Sequence, residues 1–323
     1  MLTFIACLVG GAAVELVTIL HTEVGNFYHS QASVMMFGRR EPLYMLVGCY
    51  GWIAYAALTL AEKMGGPSLH VAALAALLGS EAWALLDTVG AQYLWWTWHN
   101  SEPLYNDREA GVPVASSFWI MASIGSLALC VRACSERRMW ICGVLVGPAA
   151  TLGLMHLPFL ALYHPLVTAA GFHASFAMWA FRLCCAVPLL LRLGPPKPDK
   201  SVLKQLVLYV VVIAGIAMCC DPQKETRLSF SQPCAPACDV EESSFWGGFR
   251  RKSFACPVGN KPERDLYRIC DARCSKGSPV DYYKTCGVPA PAGWHTLVLM
   301  HAFVVVGLGL LPFRPVARGT KDD

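Results

Sequence analysis

Charge is scarce in this sequence. Of 323 residues only 15% are Asp, Glu, Lys or Arg, against about 25% in a soluble domain, which argues against a soluble enzyme. The net charge of +4 is too small and too scattered for a nucleic-acid binder, which needs clustered Lys and Arg. There is no acidic or basic tail of the kind that makes a disordered partner segment. P-loops, aspartate-rich prenyltransferase motifs and serine-hydrolase elbows are missing, as is any Asn-x-Ser/Thr acceptor. No His-x3-His or His-x2-His-His box occurs, so di-iron chemistry of the desaturase type is not expected. Zinc would require His156, His173 or His301 to meet Asp87, and lone histidines on apolar helices are more often packed in a core. No metal or other cofactor is expected.

What is present is apolar. Hydrophobic residues make up 55% of the chain, and mean hydropathy is +0.44. A bilayer core takes about 20 apolar residues as helix. Eight stretches reach that length: 2–20, 43–61, 69–88, 113–133, 139–160, 166–191, 202–219 and 293–313. Most are bounded by Pro, Gly or charge. The pattern predicts an all-α, polytopic membrane bundle of about eight transmembrane helices. The first span reads poorly as a signal peptide, because it lacks a basic leader, carries Glu15 and precedes no A-x-A site.

Loop charge sets the orientation. With the N-terminus cytoplasmic, the inner side carries Lys63, Arg132, Arg137, Arg138, Arg192, Lys197, Lys200, Lys204, Arg314, Arg318 and Lys321. The short outer loops carry only Arg39, Arg40 and Arg108. This predicts N-in and C-in, in a secretory-pathway or plasma membrane. Cysteines give a second signal. Six of fifteen, Cys234, Cys238, Cys256, Cys270, Cys274 and Cys286, lie between the last two spans. That topology places them outside, where disulfides persist; zinc ligation by the Cys-x3-Cys pairs is the alternative. The expected organisation is a transmembrane bundle over 1–219, a Cys-rich extracytoplasmic loop over 220–292, and a last helix with its tail over 293–323. Aromatic and basic residues alternate from Phe245 to Phe254, an edge that could suit a protein partner or lipid headgroups; a small stapled cap over the bundle is the preferred explanation.

Four ionisable residues fall inside spans: Glu15, Glu81, Asp87 and Arg182. Such groups are costly in lipid, and they either pair or function. At about 1.5 Å per residue, Glu81 and Arg182 reach similar depths, which predicts a structural ion pair. Glu15 and Asp87 lie in the outer half with no basic residue near in sequence. An unpaired carboxyl in an apolar site holds its proton, so each is a candidate general acid; a hydrogen bond to neighbouring backbone or hydroxyl is the plainer alternative.

The outer ends of spans one and three look alike. One reads Glu15-LVTIL-His21-T-Glu23-VG-Asn26-Phe27-Tyr28-His29, the other Asp87-TVGAQ-Tyr93-L-Trp95-Trp96-T-Trp98-His99. Each is followed by EPLY, at Glu41–Tyr44 and Glu102–Tyr105, and then by a span bearing Trp52 or Trp119. This predicts a duplicated helix–loop–helix unit over 12–60 and 84–125, with both loops on the outer face. Tryptophans also gather at membrane interfaces for their own amphipathic reasons.

The series Asp87…Trp96-Thr-Trp98…Tyr105…Gly111-Val112-Pro113…Phe118-Trp119 resembles the integral-membrane carotenoid hydratases of bacteria and archaea, and uncharacterised eukaryotic membrane proteins carry similar motifs. The first half, with Glu15 or Glu23, Gly25, Tyr28, Pro42 and Trp52, is similar to the amino-terminal acid, Gly, Tyr, Pro and Trp of that family. The likeness covers about residues 12–125. It departs in the insert Asn106-Asp107-Arg108-Glu109 and in the Cys-rich loop. The resemblance implies acid-catalysed hydration or isomerisation of an isoprenoid or polyene. Glu15, Asp87 or Glu23 would donate the proton, and His29 or His99 would position water. Tyr28, Trp95, Trp96, Trp98, Tyr105 and Trp119 would line the substrate, with the tryptophans shielding a cation.

The competing class is non-enzymatic: a structural, lipid-binding or partner-binding subunit that works through its stapled loop. A transporter would want a continuous polar path across the membrane. Membrane lipids are expected partners in every case.

Overall fold

The computed structural model describes residues 2–20, 27–37, 41–98, 107–137, 139–190, 200–230, 241–243, 250–252, 268–269 and 282–311. Eight helical rods run through them. Helix α1 spans Leu2–Leu20. Helix α2 opens as a π-helix over Met45–Ala54 and continues as an α-helix over Tyr55–Met64. The next two are α3 (Ser68–Gln92) and α4 (Val114–Glu136). Helix α5 covers Trp140–Leu154 and runs on, through His156–Pro158, into a π-helical stretch at Phe159–Ala169. Then come α6 (Ala174–Leu190), α7 (Lys200–Cys219) and α8 (Trp294–Leu310).

Helix α3 is the axis. Every residue from Val71 to Gln92 is buried, so it is wrapped on all sides, as a helix apolar around its whole circumference must be. Helices α2, α4, α6, α7 and α8 pack against it, while α1 rests on α2, α4 and α5. The outer helices turn apolar side chains outward: Ile141, Leu145, Leu160, Trp179, Leu208 and Phe303 are all more than half exposed. An exterior of this kind suits lipid rather than water.

Among the described residues, five helices are long and apolar enough to cross a membrane: Leu2–Ile19, Met45–Met64, Ser68–Gln92, Val114–Ser135 and Gly143–Ala169. The apolar helices Ala174–Leu190, Leu203–Cys219 and Trp294–Leu310 are shorter, at 17 residues or fewer. One expected boundary is corrected. The sequence pattern places a break between residues 160 and 166, yet the chain stays helical to Ala169 and turns at Gly171. The wider π turn tolerates Pro165, which has no N–H to give; the Ala170 amide reaches the Pro165 carbonyl at 3.0 Å.

The strands are short and sit between helix ends. They are β1 (Phe27–His29), β2 (Met35–Met36), β3 (Glu41–Pro42), β4 (Trp96–Trp98), β5 (Arg108–Glu109) and β6 (Val112–Pro113). Both halves follow the same order of helix, strand, two-stranded hairpin and helix, with Pro42 and Pro113 each leading into the second helix. The EPLY match sets a different register. Glu41–Tyr44 leads straight into α2, whereas Glu102–Tyr105 falls outside the described residues and well before α4. The two halves meet through β1 and β4, which pair antiparallel: Phe27 opposite Trp98, Tyr28 opposite Thr97, His29 opposite Trp96.

In the loop, β7 (Thr226–Phe230) pairs with β11 (Tyr282–Cys286), which pairs with β10 (Arg268–Ile269); β8 (Glu241–Ser243) pairs with β9 (Arg250–Lys252). Cys234, Cys238, Cys256, Cys270 and Cys274 lie outside the described residues, and so does the side chain of Cys286. So do most of the aromatic and basic residues between Phe245 and Phe254. Cys7, Cys49, Cys130, Cys184, Cys185, Cys219 and Cys220 are free thiols.

Glycine sets how closely α1 and α2 cross. A Cβ on Gly11 would stand 2.3 Å from the Tyr50 Cβ, and one on Gly51 would stand 2.6 Å from a Leu8 methyl. Small residues let helix backbones approach in this way. Gly48, three residues before Gly51, faces open space. Gly11→Ala should therefore destabilise the protein by about 1–3 kcal/mol through overpacking. Gly48→Ala should leave stability unchanged or raise it by up to about 1 kcal/mol. Melting of the two variants in detergent checks the pair, and equal shifts would contradict the crossing geometry.

Candidate functional site

The site forms where α1 and α3 end. At the close of α3 the chain reverses at Leu94, which adopts a left-handed φ of 59°. The Trp95 amide bonds the Gly90 carbonyl at 2.8 Å and the Leu94 amide bonds the Ala91 carbonyl at 3.3 Å. This is the double closure of a Schellman helix end, made at some cost by a side chain where glycine is usual. The reversal folds Trp96 back over α3. Gly90 makes room for it, since a Cβ there would lie 2.7 Å from the Trp96 ring. The indole Nε1 then donates to Asp87 Oδ1 at 3.0 Å.

The first half delivers its acid by other means. Glu15 faces Tyr50, which bonds its carboxyl from the π-helical start of α2. The Thr18 hydroxyl donates to the Glu15 backbone carbonyl at 2.8 Å. Glu15 and Asp87, 2% and 1% exposed, line one small chamber of about 60 Å³ together with His29, Trp96, Trp98 and Trp119. Tyr50, Trp83, Thr18, Ser116 and Met45 also line it. A water needs roughly 10–15 Å³ measured this way, so the chamber takes a few waters or the tip of a longer molecule.

Several buried polar atoms here have no hydrogen-bond partner among the described residues: Asp87 Oδ2, both His29 ring nitrogens and both Glu41 carboxyl oxygens. His29 Nε2 and Glu41 Oε2 stand 3.1 Å apart, yet out of hydrogen-bond alignment. Orphaned polar atoms cost about 1–3 kcal/mol each, and a cluster of them beside a cavity marks a place built for water or ligand. Burial pushes the Glu41 carboxyl up to about 8. Burial also pushes the His29 imidazole down to about 4, against a smaller opposing pull from Glu15. At neutral pH the Glu41 carboxyl therefore carries a proton and His29 does not, which gives the site a donor beside an acceptor.

Glu23, His99 and Tyr105 lie outside the described residues. Tyr28 is paired through its backbone with Thr97; its side chain is not described. Trp95 does not line the chamber and packs between Tyr93 and Trp96, at ring distances of 6.4 and 6.0 Å. Sequence reasoning missed Glu41 and Tyr50. Glu41 was in view only as part of the EPLY repeat, and an isolated Tyr in an apolar span carries no signal of its own.

The other charges expected inside spans lie elsewhere. Arg182 Nη2 stands 2.5 Å from Glu81 Oε1, and His301 Nδ1 stands 2.9 Å from Glu81 Oε2. Arg182 also lies over the Trp179 ring at 4.9 Å. His173 faces Asp107 at 3.4 Å, and His156 packs edge-on against Trp119. The three histidines therefore point to three separate places, and among the described residues none joins Asp87. The insert of the second half has an anchoring role: Asp107 Oδ2 accepts the Ala174 amide at 2.7 Å at the start of α6, and Ser175 donates to Glu109 at 3.0 Å.

Fold and site together define a mostly helical protein with membrane-length apolar helices and a two-acid chamber between its first two helical units. The chain belongs to the family described as a domain of unknown function, DUF7802, whose model matches residues 1–313. No curated protein and no solved structure matches it.

A pH dependence follows from His29 and Glu41. Raised from 4.5 to about 8, Glu41 binds a proton in the folded state that the unfolded chain releases, so its contribution is lost as pH rises through 8. Lowered from 6.5 to about 4, His29 acts oppositely, and its contribution is lost as pH falls through 4. The two offset each other between pH 4.5 and 6.5, leaving stability to fall from about pH 6.5 to 8. Melting temperature against pH should show that decline in the wild type and a flatter profile in Glu41→Gln; superimposable profiles would contradict it.

Proposed function

We propose that this chain is a multi-pass membrane protein in which all eight apolar helices cross the bilayer, and that its two-acid chamber is an acid–base site for a lipid-soluble alkene. The three shorter helices reach about 25 Å at 1.5 Å per residue, enough for a core of about 30 Å with polar ends drawn inward. On this reading the termini are cytoplasmic, and the loop over 220–292 lies outside with its six cysteines bridged. The observation that carries the chemistry is the meeting of Glu15 and Asp87, from separate helices, in one buried chamber with an unpartnered Asp87 Oδ2.

The chemistry is hydration of an isoprenoid or polyene double bond. A carboxyl O–H of Asp87 or Glu15 gives its proton to one alkene carbon, and the π pair becomes the new C–H bond. The adjacent carbon is left as a tertiary cation, which the faces of Trp96, Trp98 and Trp119 attract. Water bonds to that carbon and passes a proton to His29, which returns it to the carboxylate. The sum is one alkene and one water giving one alcohol. Loss of a proton from the cation, in place of water capture, gives isomerisation. The resemblance to carotenoid hydratases supports the same reading.

The small chamber favours a second reading, in which the polar cluster only joins the two halves and the protein serves as a lipid- or partner-binding subunit. Mass spectrometry of lipids co-purified in mild detergent separates the two. The acid–base reading expects a specific isoprenoid or polyene whose ratio to its hydrated form rises about tenfold or more in Glu15→Gln and Asp87→Asn, with melting little changed. An unselective lipid set, identical in all three proteins, would favour the subunit.

A further inference from the structure

A second cavity lies beside the chamber, on the outside of the bundle. It is a groove of about 520 Å³ between the π-helical start of α2 and the lipid-facing side of α7, within the size range of small-molecule sites. Gly48, Cys49 and Trp52 form one wall; Leu208, Tyr209 and Val212 form the other. The groove is overwhelmingly apolar and opens on the same face as exposed Val47, Leu208 and Val211. Its occupant therefore comes from the lipid phase.

The groove is shaped rather than incidental. The Tyr209 hydroxyl donates to the Ala82 carbonyl of α3 at 2.5 Å, and its ring packs on Trp52 at 5.1 Å, so α7 is held off α2 by a spacer of two aromatic rings. Gly48 leaves the opposite wall without a side chain and has nothing within 4 Å of where a Cβ would stand.

The partition between groove and chamber is two side chains thick, Cys49 on the groove side and Met45 on the chamber side. Cys49 and Leu86 line the groove, while Met45 and Asp87 line the chamber. Cys49 Sγ lies 3.4 Å from Met45 Sδ. Methionine is unbranched and adapts readily, so the wall is soft where it separates lipid from acid.

We propose that this groove is the lipid-side entrance to the acid chamber. It holds one apolar chain along α2 and α7 and passes the unsaturated tip of that chain past Met45 and Cys49 toward Asp87. The inference rests on the acid–base reading and resolves a mismatch of size, because a chamber of about 60 Å³ accepts only the end of such a chain while the groove holds its length.

The test uses two photoreactive isoprenoid alcohols with purified full-length protein in nanodiscs, one carrying its diazirine at the chain terminus and one at mid-chain. The tip probe should label Met45 or Cys49, and the mid-chain probe Leu208 or Val212. Gly48→Leu, which fills the groove from an open position, should reduce both labels about tenfold or more without lowering the melting temperature. Val212→Trp, which narrows the groove from the opposite wall, should do the same. Asp87→Asn should leave both labels in place, because it removes chemistry and not the groove. Labelling that is unchanged in both groove variants, or scattered over α5 and α6, would overturn the proposal. Labelling as expected together with no hydrated product would leave the groove standing and remove the acid–base reading.

Discussion

The candidate site depends on three backbone pairs. Phe27, Tyr28 and His29 lie antiparallel to Trp98, Thr97 and Trp96, and through them the end of α1 is fixed against the end of α3. Buried non-helical backbone must have its N–H and C=O groups satisfied, and each half provides this for the other. The Ser30 amide extends the ladder to the Trp95 carbonyl at 2.9 Å, and the Gln31 amide reaches the Leu228 carbonyl of β7 at 2.7 Å. The helices that carry the two acids have little direct packing with each other, so this pairing is their direct tie, added to the indirect one through α2 and α4.

An antiparallel strand pair carries a local two-fold axis, and the elements on either side of it come in the same order along the chain. Each half supplies an acid near a helix end, a strand, a hairpin and a proline that opens the next helix. The chemistry within this frame is not symmetric. Asp87 is held by an indole from its own half, while Glu15 is held by a phenol from the following helix. His29 and Glu41 belong to the first half alone. A duplicated scaffold with unlike partners on its two acids is a means of giving two carboxyls different tasks.

Much of this was legible in the sequence because lipid makes polarity conspicuous. Glu15, Asp87, Glu81 and Arg182 stood out as charges in apolar runs, and depth alone put the last two within reach of each other. His301, the third member of that cluster, is one histidine in an apolar span and gives no such signal. Glu41 was hidden because its burial comes from the β2–β3 hairpin and not from a hydrophobic run. The π-helical stretches were hidden too: apolar periodicity fixes which residues are helical and says little about the width of the turn. That is why the break near residue 160 was misplaced and the groove beside Gly48 could not be foreseen. The left-handed Leu94, which aims Trp96 at Asp87, breaks the local rule that would have called for glycine.

The central claim is that a carboxyl in this chamber gives its proton to a lipid carbon. Its most direct test is isotope transfer: membranes containing the protein are incubated with isoprenoid alkenes in deuterium- and oxygen-18-enriched water, and the extracted lipids are examined by mass spectrometry. The account predicts a product carrying deuterium on carbon and oxygen-18 in a new hydroxyl, with neither label in an Asp87→Asn, Glu15→Gln double variant. Carbon-bound deuterium alone would mark isomerisation at the same acids. No label on any lipid, or equal labelling by the double variant, would contradict the claim.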